Sequence, residues 1–260
     1  MKFAIVYLLT SWVLLTNSVH AESLVLRVGY DDYCPYTCAN GPQKGFVIDI
    51  LNHILAPRGM KIEPVIASWP RIKSMAKKGS LDLILPVNQL ETKELGIQRT
   101  QQSVGSSEAA YFVHKDSSWA FKGIESLKSQ MIGTIQGYTY PAPLSTWLAD
   151  PQHKKMQIIL ASDQGNQRQI KMLASARVSV VPSERLVFWY MAHTLSLAHN
   201  FKEAGVLEMP RDLAQFYIGV ATKQQPLAQD LLKWLDQGLE DIKRNRKLDD
   251  ILKIYGLGPS

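Results

Sequence analysis

The residues best equipped to grip a molecule flank one helix-strand unit, Ser68–Val87 (SWPRIKSMAKKGSLDLILPV). Trp69 and Arg71 bring an aromatic ring and a guanidinium to the start of the helix, and Pro86–Asn88 close the strand. In open α/β sheets, ligands sit beyond the carboxyl ends of the strands, so both groups belong at a binding rim. Cys34 and Cys38, in CPYTC, are the other reactive pair. In an oxidising compartment two close cysteines pair, and a structural disulfide is the first reading. A free pair is the second. Redox catalysis is the third, because the spacing is not C-x-x-C. The six histidines are scattered, and neither an H-E-x-x-H pair nor a nucleophile elbow occurs. The residues therefore point to no catalytic set, no metal site and no cofactor.

The elements that must position these groups follow from periodicity. In the unit above, Ile72, Met75 and Ala76 share a helix face, and Gly79 suits a helix C-terminus because it takes positive φ without a Cβ clash. Leu81–Val87 then reads as a strand buried on both faces of a parallel sheet. Before it, Leu24–Tyr30 alternates as a strand, Asp31–Gly45 is a loop, Phe46–Leu55 is a helix and Lys61–Ile66 a strand. The polar run Glu91–Glu108 reads as a loop passing over the site. Strands at Ala109–His114, Met131–Gln136, Gln157–Leu160 and Val178–Pro182 follow, with helices from Leu144, over Gln164–Ala176 and over Glu184–Ala192. Phe216–Ala221 is a late strand, and Leu227–Lys243 and Leu248–Ile254 are amphipathic helices. Strand-helix-strand order occurs twice, which argues for two α/β lobes with a cleft between them. The chain is expected to cross near Ala110 and return near Tyr217. Residues 22–110 with 218–260 then make lobe 1, and residues 111–217 make lobe 2.

Composition sets the setting. Lys2, an apolar stretch from Phe3 to Leu15 and the small-x-small triplet Val19-His20-Ala21 read as a signal peptide over residues 1–21. No cysteine stands at the cleavage site for a lipid anchor, and no later run is long enough to span a bilayer. The expectation is a periplasmic protein, soluble after cleavage. The formal charge of +6 falls by one without Lys2, and the basic residues are spread. That pattern is a solvated surface and argues against nucleic acid as a partner.

This plan resembles the bacterial extracellular solute-binding proteins of family 3. Its carriers are RVGYDDYCPY (Arg27–Tyr36), KGFVIDIL (Lys44–Leu51), the Ser68–Val87 unit, IGTIQGYTY (Ile132–Tyr140), IKMLASARVSVVPSE (Ile170–Glu184) and NRKLDDILKIYG (Asn245–Gly256). The resemblance covers nearly the whole mature chain. It implies a type II periplasmic binding fold, two lobes with mostly parallel sheets flanked by helices and a hinge between them. It also implies capture of a small polar solute, an amino acid or a related amine or carboxylate, for an ABC permease or a membrane sensor, by a monomer. Carried over by position, Trp69 packs on the ligand, and the backbone at Val87 and Asn88 binds its polar groups. So does the turn Gly137-Tyr138-Thr139-Tyr140. That turn opens towards a helix, so its N–H groups and the helix dipole would favour a carboxylate. Glu184 meets an ammonium where the family usually has Asp, and Asp31 faces the same cleft.

Two departures matter. The α-carboxylate clamp of amino-acid binders is an Arg three residues after a Thr, and here Leu95 follows Thr92 at that spacing. Arg71 is the substitute guanidinium, with Arg99 behind it. Members with a W-x-R segment and no known amino-acid ligand are the nearer match. The segment Ala176-Arg177-Val178-Ser179 also drifts from the family pattern. The competing reading is an enzyme on the same fold, dehydratase-like, with Asp31 and Glu184 as acid and base across the cleft. A ligand sensor without transport is the third.

Overall fold

The computed structural model describes residues 23–161 and 164–258; the expected signal peptide lies outside them. The first half runs β1 (Leu24–Tyr30), α1 (Phe46–Leu55), β2 (Met60–Ile66), α2 (Trp69–Lys78), β3 (Leu83–Val87), α3 (Gln89–Leu95) and the short strands β4 (Gln98–Arg99) and β5 (Gly105–Ser106). There follow β6 (Ala109–His114), β7 (Ile132–Ile135), α4 (Leu144–Ala149), β8 (Gln157–Leu160), α5 (Gly165–Ala174), β9 (Val181–Glu184), α6 (Arg185–Thr194) and β10 (Phe201–Leu207). The chain ends with β11 (Gln215–Val220), α7 (Gln225–Arg244) and α8 (Lys247–Ile254).

The first lobe is built on the sheet β2-β1-β3-β11-β4, with β5 also on β11. Its central strand β3 is wholly buried, as its apolar run requires. On one face α1 buries Val47, Ile50, Leu51 and Ile54 against Leu231, Leu235 and Leu239 of α7. Each such side chain contributes about 1.5–3 kcal/mol by leaving water. The two helices pack closely because Gly238 has no side chain: a Cβ there would stand 2.6 Å from Ile54. On the other face α2 buries Trp69, Ile72 and Ala76. Gly79 ends α2 in the left-handed region at φ 74°.

The second lobe joins β10-β6-β9 and β7-β8, linked by a parallel bridge between Ile132 and Val180. Its core stacks Phe112 on Phe188 at 3.7 Å between ring centroids. β1 is parallel to both β2 and β3, and β7 is parallel to β8. The parallel arrangement expected from the sequence is interrupted twice: β11 is antiparallel to β3, β4 and β5, and β6 is antiparallel to β9 and β10. β6 leaves the first lobe and β10 leads back to it, so the two must run in opposite directions.

The expected loop at Glu91–Glu108 is corrected. It holds α3, β4 and β5, and α3 is fixed by a capping box in which Asn88 accepts the Glu91 N–H and Glu91 accepts the Asn88 N–H. β10 has no counterpart in the sequence reading, because Gly205 and a register shift between Glu203 and Gly205 break its alternation. The strand expected at Val178–Pro182 pairs instead over Val181–Glu184.

Candidate functional site

A pocket of about 760 Å³, counted out to its open mouth, lies between the two lobes. Asp31 enters it from the end of β1, Trp69 from the first turn of α2, Asn88 and Glu91 from the start of α3, and Glu184 from the end of β9. Tyr138, Thr139 and Tyr140 enter from the segment between β7 and α4. Tyr33, Ser107, Asn166, Gln169 and Phe216 complete the polar and aromatic wall.

The lobes are shut on each other. The Tyr138 hydroxyl donates to Asp31 Oδ2 at 2.7 Å and accepts from Asn166 Nδ2 at 3.1 Å. Asn166 Nδ2 also donates to the Asp32 carbonyl at 2.9 Å. Thr139 donates to Glu91 Oε1 at 3.3 Å, and Trp69 Nε1 donates to the same oxygen at 2.8 Å. Lys73 Nζ reaches the Gly137 carbonyl at 2.8 Å, and Tyr190 donates to Gln43 Oε1 at 3.1 Å. Gly137 has φ 82°, and a Cβ on it would stand 2.5 Å from Pro70 Cγ. Glycine is needed there twice over, for its backbone and for the fit of one lobe against the other.

Three of the buried side chains are acids. Burial pushes the Asp31 carboxyl from 3.8 up to about 7. The Tyr138 hydrogen bond opposes this, while the charges of Asp32 and Glu91 add to it. Burial likewise pushes Glu184 from 4.5 up to about 7, against the pull of backbone N–H groups led by that of Val187. Glu184 caps α6, accepting the Val187 N–H at 2.7 Å, and its other oxygen stands 3.5 Å from the Tyr36 hydroxyl. Burial raises Glu91 too, with the Trp69 N–H and the charge of Lys73 holding it back. The Tyr33 ring stands T-shaped to Tyr138 and Phe216, at 5.8 and 6.0 Å, amid these acids.

Of the residues singled out in the sequence, Asp31, Trp69, Asn88, Tyr138, Thr139, Tyr140 and Glu184 line the pocket, and Arg71, Val87 and Gly137 do not. Arg71 is exposed and borders a separate hollow with Asp32 and Asn40 of the first lobe and Gln164 of the second. Val87 pairs with Tyr217 in the sheet and packs beside Trp69. Arg99 lies over the Tyr217 ring at 3.7 Å and does not line the pocket. The carboxylate expected at the Gly137 turn lacks its helix terminus: α4 starts only at Leu144, after Pro141–Pro143, and Tyr138 N–H is turned back to the Ile135 carbonyl. Cys34 and Cys38 are joined, with sulfurs 1.99 Å apart. Glu91 is the main residue that the sequence reading missed at the site, and its signal was the Asn88-x-x-Glu91 capping pattern.

An acid-lined, two-lobed cleft with lobe-to-lobe latches is the architecture of a binding protein. The chain belongs to the bacterial extracellular solute-binding proteins, family 3, whose model matches residues 26–258. No curated protein matches by sequence. Among solved structures, the chain is similar to a histidine kinase sensor domain with similarity to periplasmic binding proteins (17% identity, 92% of this chain, 98% of that one, TM-score 0.69). It is similar to an ancestral arginine-binding protein bound to glutamine (20% identity, 89% and 97%, TM-score 0.67). It is also similar to an ABC uptake transporter substrate-binding protein from Streptococcus pneumoniae with bound histidine (16% identity, 91% and 94%, TM-score 0.70). At these identities the likeness establishes the fold. Among the described residues, no helix is long and apolar enough to cross a membrane.

Proposed function

We propose that this chain is a periplasmic receptor that captures a small polar solute, an amino acid or a related amine or carboxylate, between its lobes. It presents the closed form to an ABC-type importer. The observation that carries the reading is the pocket itself, walled by both lobes and bridged across by Tyr138–Asp31 and Thr139–Glu91. Asp31, Trp69, Asn88, Tyr138, Thr139, Tyr140 and Glu184 hold the solute, and no bond is made or broken. The division expected as residues 22–110 with 218–260 against 111–217 is kept in outline, with its crossings drawn where the strand partners change sheets, between Ser106 and Ala109 and between Leu207 and Gln215. Closure by a hinge at these crossings is the working motion.

The protein is exported, acts as a monomer and needs neither cofactor nor nucleic acid. A sensor in place of an importer subunit is the second reading, favoured by the likeness to the kinase sensor domain. The test is to unfold and refold the mature protein, freeing it of carried-over ligand, and to screen polar metabolites by thermal shift and calorimetry. A ligand at one hundred times its dissociation constant stabilises the fold by about 2.7 kcal/mol. Silence across a broad panel overturns the receptor reading.

A further inference from the structure

The wall of the pocket holds three acids and, among the described residues, no basic side chain. Asp31, Glu91 and Glu184 are each more than nine-tenths buried, and all three line it. Lys73 lies outside the wall: its charge acts on Glu91 and its ammonium is held by the Gly137 carbonyl. Asp31 and Glu184 have no such neighbour inside the pocket. Arg185, next in sequence to Glu184, is turned away to Glu108 and Glu203.

The neutral groups agree with the charges. Ser107 is 6% exposed, and its hydroxyl has no hydrogen-bond partner among the described residues. Gln169 is 2% exposed and spends its Nε2 on the Gly133 carbonyl, which leaves Oε1 as a spare acceptor. The rings of Tyr33, Trp69 and Phe216 supply apolar and π surface. Such rings attract a desolvated ammonium. A carboxylate placed here would meet three acids and no guanidinium. The residue at the usual clamp position is Leu95, which packs with the apolar cluster around Trp69.

We infer that the cleft selects a small organic amine without a carboxylate, its ammonium group or groups held by Asp31 and Glu184 from opposite lobes. This rests on the receptor reading and narrows it to a ligand class. An ammonium restores the missing counter-charge to the two acids that lack one. It donates to the spare acceptors and slides its alkyl stem along the rings. The α-amino acid with the same stem adds one anionic group that no residue of the wall can pair.

Matched pairs isolate that group. Cadaverine differs from lysine, and putrescine from ornithine, by one carboxylate. Calorimetry on the refolded, ligand-free chain is expected to give tighter binding of the amine in at least one pair, by about tenfold or more. Asp31→Asn and Glu184→Gln keep the shapes and the hydrogen bonds to Tyr138 and Val187, and each should weaken amine binding by about tenfold. Unchanged circular dichroism would show the variants folded. An amino acid that binds as well as its amine, or amine binding that survives both variants, overturns the inference. If no amine binds but another polar solute does, the inference falls and the receptor reading stands. If nothing binds, both fall.

Discussion

Asp31→Asn should make the ligand-free protein more stable, and by an amount that depends on pH. Asp31 is 4% exposed, and its neighbours are the Tyr138 and Tyr33 hydroxyls and the carboxylates of Asp32 and Glu91. Lys73 acts on Glu91 and is not among the charges that act on Asp31. The carboxyl titrates near 3.8 when unfolded and at about 7 when folded. The folded state therefore holds its proton more tightly. Below about pH 4 Asp31 is protonated in both states and costs nothing. As pH rises from there to about 7, the unfolded chain ionises first and stability is lost. The gap, at about 1.4 kcal/mol per pH unit, comes to about 4 kcal/mol as a ceiling, since water entering the open mouth relieves part of it. Asparagine cannot ionise, and its carbonyl still accepts the Tyr138 hydroxyl. Urea denaturation at pH 4 and pH 8 reads the difference. The variant should match the parent at pH 4 and exceed it by about 2–4 kcal/mol at pH 8. An equal effect at both pH values, or a loss at pH 8, refutes the claim that an uncompensated buried charge sits there.

Other perturbations test other parts. Tyr138→Phe removes the donor to Asp31 and should cost about 1.5–3 kcal/mol at pH 8, and less at pH 4 where Asp31 is protonated; urea titrations at the two pH values report it. Gly137→Ala puts a Cβ against Pro70 and forces a left-handed alanine, so it should hold the lobes apart; small-angle scattering should show a larger radius and calorimetry a solute affinity lower by about tenfold. Asn88→Ala strips the cap from α3 and should lower stability by about 1 kcal/mol in the same urea assay.

The periodic parts of the fold were legible. β1, α1 and β3 stand within two residues of where alternation and the apolar run put them, because their faces are buried and leave a pattern. α3 was hidden because Gln89–Leu95 is polar and buries only Glu91 and Thr92. Its stability comes from its cap and its place, not from an apolar stripe. At the site, position along the chain located Asp31, Trp69 and Glu184 beside the pocket, since strand ends and helix starts face the cleft. It could not tell which way Arg71 would point around α2. Tyr33, Asn166 and Phe216 were out of reach for a different reason: Tyr33 and Phe216 meet in the first lobe's core from distant parts of the chain, Asn166 reaches the adjoining Asp32 from the other lobe, and no local pattern encodes either encounter.

Two of the lobe-to-lobe bonds, Lys73 to the Gly137 carbonyl and Tyr190 to Gln43, lie outside the pocket wall. They favour the shut form whether or not the pocket is filled. Measured affinity is the intrinsic affinity of the shut form scaled by how often the empty protein visits it. Substitutions at Gln43 or Tyr190 thus act as a volume control, shifting the affinities of all solutes together and leaving their ranking alone. Such a receptor can be retuned to scarce or plentiful supply by drift at its surface, while the chemistry of its choice stays locked inside.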